Sequence, residues 1–337
     1  MKSCFAVRDP RRLCADLAER LPCRIAFDFD GATVEVAASS EQAVERLRRV
    51  YRYFSAAPSR SAGDAAGGGR MVLLEAGSAE TEMLAPRLGR PGAAGQPCSE
   101  NILLADWFGW GLRIETDALL HYYASKMLRL RVVECWDEEV VTLHAASLTG
   151  PDGGDGILMI GEAAAGKTSL SLRLIDAGFR YCADDTSCIR RRDMMCVPFP
   201  MAFVVRAALD TGRPTPAELD PARPDIALLD EPRWLLERWD AVGSPFRPRT
   251  LYFLGSESSP ALGRQRPVAK AQAALLLLRN LVMPLGADPE AAAATLPNFD
   301  FACRLADMVR SVAVNSSDLD RAFDAITTDY HATTAAA

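Results

Sequence analysis

The sequence predicts an α/β protein in two parts, a small N-terminal α/β domain over residues 1–130 and a larger P-loop core over residues 131–330, with a short disordered tail at 331–337. Three observations predict it. The chain has 337 residues, more than the roughly 250–300 at which one hydrophobic core stops growing. Hydrophobic residues at 49% and charged residues at 24% suit a soluble globular chain. Gly161-Glu-Ala-Ala-Ala-Gly-Lys-Thr168 fits the phosphate-binding pattern G-x-x-x-x-G-K-[ST] between a strand-like and a helix-like run.

The elements follow in order. Asp9 and Pro10 start a helix that carries Leu13, Leu17 and Leu21 on one side. Arg24–Asp30 and Thr33–Ala38 read as strands around an Asp30-Gly31 turn of type I′. A second helix begins at the capping-box-like pair Ser39/Gln42 and turns Val44, Leu47, Val50, Tyr51 and Phe54 inward. Two Gly/Ala/Pro-rich stretches, Ser61–Arg70 and Arg87–Pro97, read as mobile loops flanking the short strand Met71–Glu75. Trp107-Phe-Gly-Trp110 reads as an aromatic cluster buried between the two domains, and His121 as structural.

Phe27-Asp28-Phe29-Asp30-Gly31 looks like the nucleophile motif of haloacid-dehalogenase-like phosphatases. Ala32 stands where that motif has threonine, and the residues after the glycine alternate like a second strand. A β-hairpin explains the same residues better.

In the core, the apolar run Gly156–Ile160 follows the turn Pro151-Asp-Gly-Gly-Asp155 and suits a buried parallel strand. After the loop, Leu170, Leu174 and Ala177 recur at helical spacing up to Gly178. In this order the loop amides and the positive end of the helix converge on a phosphate chain. The predicted nucleotide-binding residues are therefore Gly161, Glu162, Ala163, Ala164, Ala165, Gly166, Lys167, Thr168 and Ser169. Lys167 would reach the β and γ phosphates of ATP, and the Thr168 hydroxyl would ligate Mg²⁺. Alanines fill the middle of this loop, where many P-loops carry another glycine.

Arg180–Ala183 reads as the next strand, with Asp184 and Asp185 at its carboxyl end, the edge where open α/β sheets bind ligands. Two carboxylates there can divide the labour, one holding Mg²⁺ and one accepting a proton. Upstream, Val140–Leu148 reads as an apolar strand that carries His144, a residue that spacing alone would assign to the core.

His144, the glycine loop and the Asp pair, in that order, resemble the HPr kinase/phosphorylase superfamily. The resemblance spans roughly residues 138–206 and rests on Leu143-His-Ala-Ala146, Gly161–Thr168, Gly178-Phe-Arg-Tyr-Cys-Ala-Asp-Asp185 and Pro198-Phe-Pro200. It implies an HPr-kinase-like P-loop core related to phosphoenolpyruvate carboxykinase, and Mg²⁺-dependent phosphoryl transfer from ATP to a serine hydroxyl. It also implies roles: Asp184 as general base, Asp185 with Thr168 near the metal, Lys167 on the phosphates, and His144 close to phosphate and base. Relatives in peptide-maturation gene clusters, including kinases of lasso-peptide precursors, are similar in having a short N-terminal region and these blocks. They point to a small protein or peptide as acceptor. The C-terminal Pro-Gly-Arg block that accompanies phosphorolysis is not found, so phosphorolysis and the HPr protein itself fall outside the expectation. The alternative reading is a nucleotide-binding regulatory module that keeps the loop but does not transfer phosphate.

Further along, Met194–Pro200 and Met201–Arg206 read as paired strands, with Arg206 a candidate phosphate contact. Residues 210–248 read as a lid or an acceptor-binding face, and Leu251–Leu254 as a strand. Ser317 is the expected cap of a final amphipathic helix through Leu319, Ala322, Phe323 and Ile326. A net charge of −6 and a pI near 5.3 argue against nucleic acid as partner. Nine cysteines without tight paired spacing suit reduced thiols in the cytoplasm. No secretory signal is expected, because the first residues carry Lys2, Arg8, Asp9, Arg11 and Arg12 without a continuous apolar stretch. The longest apolar run, from Ala273, is broken by Arg279, Asn280 and Pro284, which suits a buried helix and excludes a membrane span. A homo-oligomer is left open.

Overall fold

In the computed structural model, which describes residues 3–56, 68–84, 100–136, 138–206, 224–228, 231–255, 266–283 and 295–335, the chain divides into two units. The first joins Met1–Cys135 to Val204–Glu237, and the second joins Trp136–Phe203 to Arg238–Ala337. The segment 204–237 was expected in the larger part but groups with the N-terminal one. Most of the expected loops at 61–70 and 87–97, and of the expected lid before residue 224, lie outside the described residues.

In the first unit, Asp9 caps α1 (Pro10–Ala18) by accepting from the Arg12 amide at 3.1 Å. The hairpin of β2 (Cys23–Phe29) and β3 (Ala32–Ala38) pairs Phe29 with Ala32. Asp30 (φ 53°) and Gly31 (φ 96°) both take positive φ, as a type I′ turn requires. Ser40, one residue later than expected, caps α2 (Glu41–Val50) by accepting from the Ala43 amide at 3.2 Å. Ser39 instead accepts from the Glu75 amide. With β1 (Ser3–Ala6), β4 (Ser55–Ala56), β5 (Gly69–Leu74), β6 (Asn101–Ala105) and β7 (Trp110–Ile114) these strands make one sheet, ordered β1-β7-β6-β5-β3-β2-β4. Leu17 and Leu21 of the α1 region pack on Val72, Leu74 and Leu104 of that sheet. Full burial of each such side chain is worth about 1.5–3 kcal/mol.

Short α3 (Ala79–Leu84) precedes β6, and α4 (Asp117–Trp136) closes this part of the chain. Trp107 packs on its own unit: its ring lies beside Gly69, where a Cβ would sit 2.5 Å from it, and under the Arg131 guanidinium at 5.5 Å. The returning segment contributes β14 (Phe203–Arg206), β15 (Ile226–Leu228) and β16 (Glu231–Leu236), a sheet ordered β14-β16-β15. Arg49 of α2 ties that segment in, donating to Glu237 Oε1 at 2.8 Å, to the Leu235 carbonyl at 3.2 Å and to Asp225.

The second unit is built on the sheet β11-β9-β10-β17-β19-β18. Its centre is β10 (Asp155–Ile160), which runs parallel to β17 (Arg247–Gly255), itself parallel to β19 (Arg310–Asn315). On the other side β9 (Ala145–Thr149) is antiparallel to both β10 and β11 (Arg180–Ala183). Two reversals leave β11 pointing the same way as β10, so the carboxyl ends of β10, β11, β17 and β19 share one edge.

The expected single strand 140–148 breaks at His144. β8 (Val140–Leu143) belongs to a separate sheet with β12 (Ser187–Arg190) and β13 (Cys196–Val197). The expected pairing of 194–200 with 201–206 is likewise replaced: β13 pairs with β12, and β14 joins the first unit's small sheet. Antiparallel β18 (Arg266–Pro267) edges the main sheet. Helices α6 (Lys270–Arg279) and α7 (Leu296–Met308) bury Ala273, Leu277, Phe301 and Leu305 with Leu158 and Leu251 of the sheet. The last helix, α8 (Leu319–Ala335), is capped by Asp318, which accepts from the Asp320 and Arg321 amides. Asp318 takes the place expected of Ser317. Residues 331–335, expected as a disordered tail, are the end of this helix. No described helix is long and apolar enough to cross a membrane.

Candidate functional site

The glycine loop follows β10 and opens α5 (Lys167–Asp176). Gly161 lacks room for a side chain, since a Cβ would lie 3.0 Å from both the Leu254 carbonyl and the Ala165 Cβ. Gly166 takes φ 92° as the residue before the helix. Ala164, where the sequence has no glycine, also adopts a left-handed φ of 66°, at a cost of about 1–2 kcal/mol for a residue with a Cβ. Glu162, Ala163 and Ala164 are exposed, and Ala165, Gly166, Thr168 and Ser169 are half-buried.

Lys167 is buried, 7% exposed. Its Nζ donates to the Gly161 carbonyl at 2.7 Å and the Glu162 carbonyl at 3.1 Å, and stands 3.0 Å from His144 Nε2. Burial lowers its pKa from the ordinary lysine value, while Asp185 and Asp184 act to raise it.

His144 sits in the gap between β8 and β9, where its amide donates to the Asn280 carbonyl at 2.7 Å instead of continuing a strand. Its Nδ1 lies 2.9 Å from Asp185 Oδ1. With Asp185 ionised, Nδ1 carries the proton and donates it to the carboxylate. The Nε2 lone pair then accepts from the Lys167 ammonium.

Asp184 and Asp185 follow β11 at the shared carboxyl edge. Asp184 is 7% exposed, and its Oδ2 accepts from Thr168 Oγ1 at 2.8 Å. Burial, with a smaller push from Asp185, raises its pKa from 3.8 to about 7; Thr168, Lys167 and His144 act the other way. Its other oxygen, Oδ1, is buried with no hydrogen-bond partner. Asp185 adopts φ 82° and is half exposed. It turns to His144, while the carboxylate on the Thr168 hydroxyl is that of Asp184.

The fold thus brings together Gly161–Ser169, His144, Asp184 and Asp185. Arg206, at the end of β14, is exposed and groups with the first unit. Sequence reasoning missed two neighbours. The Asn280 carbonyl fixes the His144 backbone, and Leu319 at the start of α8 lies against Gly166, where a Cβ would be 2.7 Å from its Cδ2. Periodicity along the chain carries no signal for either contact.

Asp184 Oδ1 without a partner, beside a hydroxyl and a second carboxylate, is a hard-oxygen donor set that fits Mg²⁺. Among the described residues no group of three or more His, Cys, Asp and Glu side chains is arranged to hold a metal alone. The rest of a Mg²⁺ shell would be phosphate oxygens and water, as is usual for this ion.

No family model matches the chain, and no curated protein matches it. Among solved structures, the Hpr(Ser) kinase/phosphatase from Coxiella burnetii matches at 20% identity and a TM-score of 0.25, over 49% of this chain and 94% of that one. A likeness of that size carries no argument about chemistry, which rests on the geometry above.

Proposed function

We propose that the second unit is an HPr-kinase-like P-loop kinase domain that transfers a phosphoryl group from ATP to a hydroxyl, with a serine on a small protein or peptide as acceptor. The observation that carries this reading is the meeting of two hydrogen-bonded sets at one loop: Thr168 with Asp184, and Lys167 with His144 and Asp185. Phosphoryl transfer needs little covalent help from a protein and relies on positioning and charge. Mg²⁺ held at the Thr168 hydroxyl and Asp185, with Asp184 left outside its shell, would neutralise charge on the phosphate oxygens. The loop amides and the Lys167 ammonium supply fixed positive charge at the start of α5. Asp184, with a pKa near 7, is suited to accept the acceptor's proton at neutral pH. Asp185 fixes the tautomer and orientation of His144, and His144 in turn steadies Lys167.

The test is incubation of the whole protein with Mg²⁺, γ-labelled ATP and serine-containing peptides, read by mass spectrometry. A phosphoserine product that disappears in Lys167→Ala and in Asp184→Asn is the expected result. Asp184→Asn should keep ATP binding, whereas Lys167→Ala should weaken it. Full activity in either variant would overturn the assignment.

A second reading is a nucleotide-binding regulatory module without transfer. The strained Ala164 and the internally bonded Lys167 favour it. ATP bound tightly, with no label transferred to any acceptor and none hydrolysed, would select it.

A further inference from the structure

We propose that α8 is the device that sets the glycine loop, with Leu319 as its positioning residue; this rests on the kinase reading for its functional consequence but not for its structural test. Leu319 is 4% exposed, and its Cδ2 fills the space that a side chain on Gly166 would need. Gly166 is the residue at which the loop turns, through φ 92°, into α5. A contact there acts on the junction that aims Lys167 and Thr168.

α8 is held so that it can bear on that junction. Near its start, Asp320 pairs with Arg173 of α5. Farther along, the Tyr330 ring meets Phe179 edge-on at 4.9 Å, just past the end of α5. The same ring occupies the space beside Gly150, where a Cβ would fall 1.6 Å from its hydroxyl. Asp329 accepts from Tyr252 at 2.6 Å and pairs with Arg310, and Arg249 donates to the Thr333 carbonyl. The two helices therefore run side by side in the same direction, both starting at the loop. About eleven residues separate Leu319 from Tyr330, roughly 17 Å of helix, so α8 is anchored at the far edge of the sheet and presses on the loop at the near one.

The contact also explains why position 166 takes glycine for two separate reasons: the left-handed φ, and the lack of room beneath Leu319. Removing Leu319 relieves only the second. That makes a coupling measurable between two residues far apart in the chain.

The experiment uses the full chain as wild type, Leu319→Ala, Leu319→Met, Gly166→Ala and the double variant Leu319→Ala/Gly166→Ala. Hydrogen exchange is read by mass spectrometry without nucleotide, then KM for ATP and kcat are measured. Leu319→Ala should speed exchange of amides 161–170 by about tenfold while those of β2 and β3 are unchanged, and should raise KM for ATP about five- to tenfold with kcat within about twofold. Leu319→Met, the milder change, should show a smaller effect of the same kind, and it secures the test if the alanine variant does not fold. The Gly166→Ala penalty should be smaller in the Leu319→Ala background than in wild type. Unchanged exchange in Leu319→Ala, or effects of the two substitutions that simply multiply, would overturn the proposal. Wild-type protein that neither binds nor turns over ATP, with the exchange coupling intact, would instead sink the kinase reading and leave α8 as the support of the loop.

Discussion

The Thr168 hydroxyl donates to Asp184 Oδ2 at 2.8 Å, while the second oxygen of the same carboxyl is buried without a partner. A carboxylate so placed is half provided for, and its pKa of about 7 against 3.8 follows from that. The proton is held more tightly in the folded than in the unfolded chain. The stabilisation this gives is present below 3.8 and is withdrawn as pH rises towards about 7. Asp184→Asn keeps an acceptor for Thr168 and removes the charge. In metal-free buffer it should be more stable than wild type at pH 7.5 by about 2–4 kcal/mol, since roughly three pH units at about 1.4 kcal/mol each set the ceiling. The gain should vanish at pH 4. Denaturant unfolding at the two pH values checks this, and equal gains at both would rule out burial of the charge as the cause.

His121 of α4 gives the opposite pH dependence in the first unit. Both ring nitrogens are buried without hydrogen-bond partners, and burial, assisted by Arg46, lowers its pKa from 6.5 to about 4. The imidazole is held neutral, so the stability it permits is full above 6.5 and is lost as pH falls towards about 4. His121→Leu should flatten that acid loss, worth on the order of 2–3 kcal/mol at pH 4. Melting temperatures from pH 4 to 8 would show it, and an unaltered acid limb would count against the assignment.

Asp28 is a hairpin residue. Its Oδ1 accepts from the Gly31 amide at 3.1 Å, closing the turn between β2 and β3. Asparagine can make the same bond, so Asp28→Asn should retain both fold and any phosphoryl-transfer activity. A well-folded but inactive Asp28→Asn protein would revive the dehalogenase-like phosphatase reading.

Gly156 lies in β10 under Phe246, where a Cβ would be 2.3 Å from the ring and 2.5 Å from the Leu148 carbonyl. The carbonyl belongs to the neighbouring strand and cannot step aside. Gly156→Ala should cost about 1–3 kcal/mol by overpacking, measured as a lowered denaturation midpoint with unchanged slope. A neutral result would mean that the β9–β10 pairing gives way more easily than a sheet interior should.

Arg49 joins α2 to the returning segment through Glu237, Asp225 and the Leu235 carbonyl. Arg49→Ala leaves two partly buried carboxylates and a carbonyl without this partner, at a cost of roughly 1–3 kcal/mol. The release should be local. Limited proteolysis is expected to cut within 204–237 faster than in wild type while the second unit stays intact, and simultaneous loss of both units would contradict a local role.

The parts of the fold legible in the sequence are those fixed by neighbours along the chain. Asp30-Gly31 dictates its own turn, and Gly161, Gly166 and Lys167 dictate the strand-to-helix loop, because positive φ and close approach are needed within a few residues. The site's residues were legible as an ordered set, but their pairing was not. His144 reads as an apolar strand residue until the Asn280 carbonyl takes its amide and frees the ring. Nothing along the chain says which of two adjacent carboxylates meets Thr168, since they differ only in the direction in which φ 82° turns the second. The docking of 204–237 on Arg49 and of Leu319 on Gly166 depends on contacts more than a hundred residues apart, for which local pattern has no information.

Lys167 already has its acceptors. Two loop carbonyls and one imidazole surround its ammonium, so any anion offered to the loop would compete with them for the cation. A phosphate chain brought there would have to replace two carbonyl oxygens and an imidazole nitrogen with its own oxygens, and its affinity would be the difference between the two sets. Such a replacement would reach beyond the loop, because the His144 ring, without Lys167, would keep Asp185 as its side-chain partner. The loop and the carboxyl end of β11 are therefore joined to each other through one imidazole.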